Sequence, residues 1–324
     1  MRKQLLAVLL TLFLAMTLCG CGRNNGADPG KLQVVCSLFP YYDFVRVIGG
    51  EFVQPRLLVP AGRETHSFEP TPLDVIDVSQ ADVLVYNGGE GELWVEEILS
   101  SAGEKIGFVV RMMDHADSLL EEEVAEGMEH DHAHSHSHDH GEDCDHDEIT
   151  YDEHIWTSPR QAMTLCRAIC DSLCAADPTH TAGYRANLDA YLEQLTALDE
   201  SFQQVVAQRN RDLLVFGDRF PLVYFCRAYN LNYRAAFQGC ASDTEPSLAT
   251  LKYLIDRVRE EQIPVVYTIE LSSQKIAHAI AETTGAKVLT FHSCQTVTRQ
   301  EFDEGATYLS LMEQNISVLK EGLC

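Results

Sequence analysis

Residues 178–210, PTHTAGYRANLDAYLEQLTALDESFQQVVAQRN, decide how the rest of this 324-residue chain must be arranged. Tyr184, Leu188, Tyr191, Leu195, Leu198, Phe202 and Val205 follow one another at intervals of 4, 3, 4, 3, 4 and 3. Side chains so spaced share one face of an α-helix, which over residues 178–210 at 1.5 Å per residue is about 50 Å long. A seam of that length needs an apolar partner. A coiled-coil dimer would supply one; two lobes of the same chain packed along the helix are the plainer arrangement and the one expected here.

On both sides of this helix the pattern alternates between strand and helix. Before it, strand-like runs occupy 34–39, 53–59 and 83–86, with helical stretches at 42–48 and 70–80. After it, strands are expected at 213–216, 264–269 and 287–291, with helices at 248–260, 272–284 and 308–319. Such alternation implies parallel βαβ units. The expected fold is therefore α/β: a first lobe over 31–178, a linking helix over 179–210 and a second lobe over 211–324. In open α/β sheets ligands sit at the carboxyl ends of strands, so the cleft between lobes is the expected site.

The first residues speak to compartment. Arg2 and Lys3 precede an apolar run from Leu5 to Met16, which is too short for a membrane-spanning helix and has signal-peptide length. It ends at Leu18-Cys19-Gly20-Cys21, which resembles the lipobox of bacterial lipoproteins. Cys21 is the expected lipidated residue after loss of 1–20, and 21–30 reads as a tether. That loss moves the formal charge from −25 to −27. An acidic body argues against nucleic acid as a partner and suits cation capture. Nine cysteines then remain, an odd number that cannot all pair within one chain. Cys166, Cys170 and Cys174 share a helical face and read as small core residues, whereas Cys240 and Cys294 are candidates for a bridge in the second lobe.

Seven of the thirteen histidines crowd into one stretch: His130, His132, His134, His136, His138, His140 and His146. The surrounding segment, about 126–148, lacks core-forming residues and reads as a loop. Neutral imidazoles suit zinc, copper and nickel, while calcium and magnesium prefer oxygen. A flexible loop makes weak sites, because ordering it costs roughly 1–2 kcal/mol per residue. A tight site needs ligands on rigid elements. His66, His154 and His292 each fall at the end of an expected element, in two different lobes. His115, His180 and His278 lack that context and read as surface or structural residues.

Two motifs carry a resemblance. His66-Ser67-Phe68-Glu69-Pro70-Thr71-Pro72 resembles the His-x-Phe-Glu-Pro-Thr-Pro signature of metal-binding proteins from zinc and manganese ABC importers. His154-Ile155-Trp156-Thr157-Ser158-Pro159 resembles that family's His-x-Trp-x-x-Pro signature, and Tyr86-Asn87-Gly88 its first-lobe strand end. The resemblance implies two α/β lobes bridged by a rigid helix, one metal held between them, and His66 and His154 as first-lobe ligands. Members with a histidine-rich loop here are usually zinc proteins. It also implies a permease and its ATPase as partners, a membrane anchor through lipid, and a monomer.

The second lobe departs from that pattern. Where the family places a histidine or glutamate, this chain has Gly217, with Asp218 beside it; where the family has an aspartate after its last strand, this chain has His292. A trio of His66, His154 and His292, completed by Asp218 or water, would be tetrahedral and suited to Zn2+. Glu245 and Glu270 are further acidic candidates, the latter as a partner to a ligand imidazole, and Cys294 is a further approach to the metal. Mn2+ is the alternative cargo. A zinc hydrolase is disfavoured by the absence of a His-Glu-x-x-His motif, and a metal-binding adhesin or metal store is the remaining alternative. No enzymatic activity is expected.

Overall fold

Strands in the middle of a parallel sheet are covered on both faces and so are apolar at every position. β1 (Leu32–Cys36) and β3 (Val83–Tyr86) have that character, with Val34, Val35, Cys36 and all four residues of β3 buried. The structure, a computed structural model, describes residues 28, 30–102, 106–128, 150–239 and 246–324. Residues 1–20, Cys21, the seven histidines from His130 to His146, Cys240 and Glu245 lie outside the described residues.

β1 and β3 form the centre of a four-stranded parallel sheet of order β2-β1-β3-β4, flanked by β2 (Val53–Leu57) and β4 (Phe108–Arg111). Its helices are α1 (Phe39–Gly49), α2 (Pro72–Ser79) and α3 (Leu93–Ala102), followed by α4 (Pro159–Ala176). α2 starts where its cap dictates: the Thr71 hydroxyl accepts from Asp74 N–H and the Asp74 carboxylate accepts from Thr71 N–H, a reciprocal capping box.

The second lobe repeats the plan with β5 (Leu213–Phe220), β6 (Asn232–Gln238), β7 (Val265–Thr268) and β8 (Lys287–Thr290), all parallel in the order β6-β5-β7-β8. Its helices are α6 (Val223–Tyr229), α7 (Leu248–Glu260), α8 (Lys275–Thr284), α9 (Arg299–Asp303) and α10 (Tyr308–Leu323). β4 and β6 were not among the strands expected from periodicity. Both are edge strands, and edges carry mixed sequences: Phe108 and Val109 are exposed, and Arg234 interrupts β6.

The linking helix is α5 (Thr181–Ala207), entered through a 3-10 turn at Pro178–His180. All seven seam residues are buried in a core that also holds side chains of α1, α4, α6 and α10. Phe44 meets Tyr191 at 6.1 Å between ring centres and Phe202 meets Phe225 at 5.0 Å. The seam is thus filled from within the chain. Asp199, the charged residue among the buried positions of α5, is fully paired: it accepts from Arg160 of α4 at 3.1 Å and from the Tyr229 hydroxyl of α6 at 2.7 Å. Cys166 and Cys170 lie buried in the same core with Cys174 half-buried beside it.

Hydrogen bonds cross directly between the lobes. Trp156 Nε1 donates to Ser293 O at 2.9 Å, Gly62 N to Val297 O at 2.7 Å, and Tyr224 Oη to Asp152 O at 2.9 Å. Tyr308 N, at the start of α10, donates to the buried Asp43 carboxylate of α1 at 2.8 Å. Truncating the middle of the seam tests this packing. Leu195→Ala removes a fully buried side chain and should cost about 2–5 kcal/mol, read as a lower midpoint of urea unfolding with the far-ultraviolet spectrum of the folded state retained. An unchanged midpoint would mean that the seam is not packed as described.

Candidate metal centre

His66 sits in the loop between β2 and α2. Phe68 N closes a turn onto Thr65 O at 3.2 Å, and Phe68 is itself buried edge-on against Trp94 at 4.9 Å. This turn points the His66 ring at the β3–α3 loop, where only a glycine leaves room: a Cβ on Gly91 would lie 3.0 Å from His66 Nδ1 and 2.8 Å from Glu153 Oε2.

His154 opens a 3-10 turn ahead of α4 and is fully buried. Its backbone N–H donates to Asp152 Oδ1 at 2.9 Å, and its Nδ1 lies 3.3 Å from the same oxygen. A carboxylate at Nδ1 holds the proton there and leaves the lone pair on Nε2. That Nε2 is buried and has no hydrogen-bond partner. Trp156 flanks the ring at 5.5 Å, and Gly239 at the end of β6 closes it from the second lobe, a Cβ there falling 3.0 Å from His154 Cε1. The His66 and His154 ring centres are 6.1 Å apart. Two imidazoles bonded to one tetrahedral zinc at about 2.0 Å would place their centres about 5 Å apart. A closing movement of about 1 Å would therefore let one ion bridge them.

The two imidazoles are electrostatically unlike. Burial, then the neighbouring His154, and to a smaller extent Arg219 push His66 down to about 4, against a pull upward from Glu64. Burial also works against the charged form of His154, but the Asp152 carboxylate overrides it and the net shift is upward. Behind the pair, Glu153 accepts from Gly91 N at 2.9 Å, and Asn87 Nδ2 donates to Glu153 O at 2.9 Å. Asn87 N and Gly88 N donate to Glu92, whose carboxyl is pushed up to about 7 by complete burial. The Tyr86-Asn87-Gly88 strand end thus supports the His154 loop rather than supplying a ligand.

The second-lobe candidates are arranged otherwise than expected. Gly217 faces the backbone of α8: a Cβ would stand 2.5 Å from Ala277 Cα and 2.6 Å from Ala277 N, so no ligand side chain fits at that position. The Asp218 carboxylate is turned onto its own lobe, accepting from Arg219 N at 2.9 Å and Ile269 N at 3.4 Å. His292 Nδ1 accepts from Cys294 N at 2.9 Å, and its Nε2 lies 4.0 Å from Glu301 Oε1 without a hydrogen-bond partner. The trio of His66, His154 and His292 is not assembled: among the described residues no three His, Cys, Asp or Glu side chains stand where they could hold one ion. Glu270 lies 3.6 Å from His292 Nδ1. Burial lifts the Cys294 thiol well above its ordinary value, so it is held as a neutral thiol.

Two contacts at the cleft had no motif to announce them. Gln295 Nε2 of the second lobe lies 3.2 Å from His66 Nε2, and Arg219 pairs across the cleft with Glu64 at 2.8 Å. Gln295 follows His292 by three residues, and only the fold of the loop shows that it reaches His66.

The family described as zinc-uptake complex component A, periplasmic (ZnuA), matches residues 34–322. The chain belongs to this family. The zinc-binding lipoprotein AdcA of Streptococcus pneumoniae serotype 4 is 31% identical over 316 residues, 98% of this chain and 60% of that protein. The chain therefore spans about three fifths of that relative's length. The high-affinity zinc uptake system protein ZnuA of Bacillus subtilis strain 168 is 30% identical over 321 residues, 98% of this chain and 97% of the relative. The Zn(II)-bound ZnuA-like domain of pneumococcal AdcA superposes with a TM-score of 0.72 at 28% identity, covering 91% of this chain and 99% of that one. The two-lobe α/β fold is thus the ZnuA fold, and the His66–His154 pair lies in its cleft.

Because the Asp152 carboxylate raises His154 against the pull of burial, removing that charge should reverse the shift. In Asp152→Asn the His154 pKa should fall below that of the parent, followed through the imidazole carbon protons by NMR titration. A value that did not move would show that the Asp152 carboxylate is not what raises the His154 pKa.

Proposed function

We propose that this ZnuA-family chain captures Zn2+ outside the cytoplasmic membrane and delivers it to the permease of an ABC importer. The observation that carries the reading is the unpartnered, fully buried Nε2 of His154 facing the cleft beside His66. A buried polar nitrogen left without a partner costs roughly 1–3 kcal/mol, and a cation that takes its lone pair removes that cost. Nitrogen donors favour zinc over manganese, which takes oxygen more readily. The zinc-binding names of the relatives at 30% and 31% identity agree with this choice.

In this mechanism His66 and His154 hold the ion and Asp152 orients His154. Acid competes with zinc at His154 first. That ring binds its proton above the ordinary histidine range, whereas His66 stays neutral down to about 4. Protonation of His154, favoured by the Asp152 carboxylate, therefore competes with the metal and is a route to release. The histidines from His130 to His146 are auxiliary donors that collect the ion weakly and feed the cleft. Cys21 carries the lipid that keeps the protein at the membrane beside its permease and ATPase. No covalent chemistry is needed.

Titration calorimetry of the metal-stripped chain with zinc tests the assignment. The double substitution His66→Ala, His154→Ala should abolish the tight phase and leave weak binding that depends on the histidine-rich stretch. Retention of full tight affinity by the double variant would place the site elsewhere.

A further inference from the structure

The loop from Phe291 to Thr298 connects β8 to α9 and reaches from the second lobe toward His66. Its shape is held from three sides. The Glu270 carboxylate, at the end of β7, accepts from Ser293 N at 2.8 Å, from Gln295 N at 3.2 Å and from the Ser293 hydroxyl at 2.5 Å. Trp156 of the first lobe donates to Ser293 O at 2.9 Å. At its far end a capping box between Thr298 and Glu301 starts α9. A loop so pinned presents a side chain as definitely as a helix does. The side chain it presents to His66 is Gln295.

We propose that Gln295 is the second-lobe contact of the captured metal, and that its uncharged carboxamide sets the selectivity of the cleft for zinc over manganese. This inference rests on the zinc-capture reading above. The Gln295 amide nitrogen lies 3.2 Å from His66 Nε2, about the separation of two ligand atoms on one tetrahedral zinc. A cation taking the lone pair replaces this hydrogen bond. Turning the amide by half a revolution about its last bond then presents Oε1 where the nitrogen stood.

The nature of that oxygen matters. An amide oxygen is neutral and a weaker donor to hard cations than a carboxylate. The groups meeting the ion are then two imidazoles and one amide, all uncharged. The carboxylates nearby are committed elsewhere: Asp152 to His154, Glu270 to the loop, Glu64 to Arg219 and Asp218 to its own lobe. Binding therefore depends on the softer nitrogen donors, which zinc takes well and manganese poorly. Glu270 is a positioning residue here, acting on the metal only through Gln295.

Competition titration of the metal-stripped full chain against a chromophoric chelator, with zinc and manganese in separate arms, tests the inference in three variants. Gln295→Ala should weaken zinc about tenfold, the lower end of the range for losing a supporting ligand. Gln295→Glu should strengthen manganese at least about tenfold and narrow the zinc-to-manganese ratio, since a carboxylate suits the harder ion. His66→Ala serves as the reference and should lose the tight zinc phase. Thermal unfolding of each metal-free variant within a few degrees of the parent establishes that the fold is kept. Zinc and manganese affinities within twofold of the parent in both Gln295 variants, alongside loss of zinc in His66→Ala, would overturn the role of Gln295 while leaving zinc capture standing. Tight zinc binding retained in His66→Ala would overturn the site itself, and this inference with it.

Discussion

A helix of 27 residues with seven large apolar side chains on one face cannot stand alone in water, and the rest of the molecule is arranged to cover it. α1, α4, α6 and α10 come from both ends of the chain, yet all pack on α5. The two sheets are thereby held at a set separation along one rod. What the rod leaves undetermined, the cross-lobe hydrogen bonds supply: Trp156 to Ser293, Gly62 to Val297, Tyr224 to Asp152. Each of these falls within a few residues of His66, His154 or Gln295. The rigid frame and the cleft are therefore one construction, and distortion of either lobe is felt at the imidazoles.

Within the cleft the same economy of donors recurs. Asp152 spends one carboxylate oxygen on both the backbone and the ring of His154, which fixes the imidazole and its tautomer together. Glu153 and Glu92 stand behind it, their carboxyls raised by burial, where they tie the β3–α3 loop to the His154 loop. Gly91 and Gly239 matter for what they omit. A side chain at either position would occupy the space against His66 or His154. The outcome is a pair of imidazoles with different proton affinities, one held neutral by burial and one raised by its carboxylate.

Much of this was legible in the sequence, because the signals were local and periodic. The α5 seam, the βα alternation and the two histidine motifs each depend on residues close together in the chain, and His66 and His154 do meet. β4 and β6 escaped because their own sequences are mixed, with Phe108 and Val109 of β4 exposed and Arg234 interrupting β6, whereas the other edge strands, β2 and β8, were expected. The second-lobe half of the site was harder for a different reason. His292 and Gln295 occupy the same loop, and the placement of Gln295 against His66 depends on the Glu270 carboxylate, 23 and 25 residues away in sequence from the amides of Ser293 and Gln295. No spacing rule encodes a turn that is folded by a distant acceptor.

Gly217 shows how such a rebuilt half can be coherent. With α8 packed backbone-to-backbone against it, the strand end of β5 has no room for a ligand, and the bulge between Phe216 and Arg219 turns Asp218 onto Ile269 instead. The next residue, Arg219, then reaches the cleft and pairs with Glu64 beside His66. A guanidinium there lowers the proton affinity of His66 and would repel a cation if it stood alone, so its partner is required to neutralise it. Close packing at one glycine thus removes an anionic or imidazole donor from the second lobe and brings in a compensated positive charge. Under the zinc-capture proposal, a cleft built this way does not rely on opposite charge and depends on the directional lone pairs of His66 and His154.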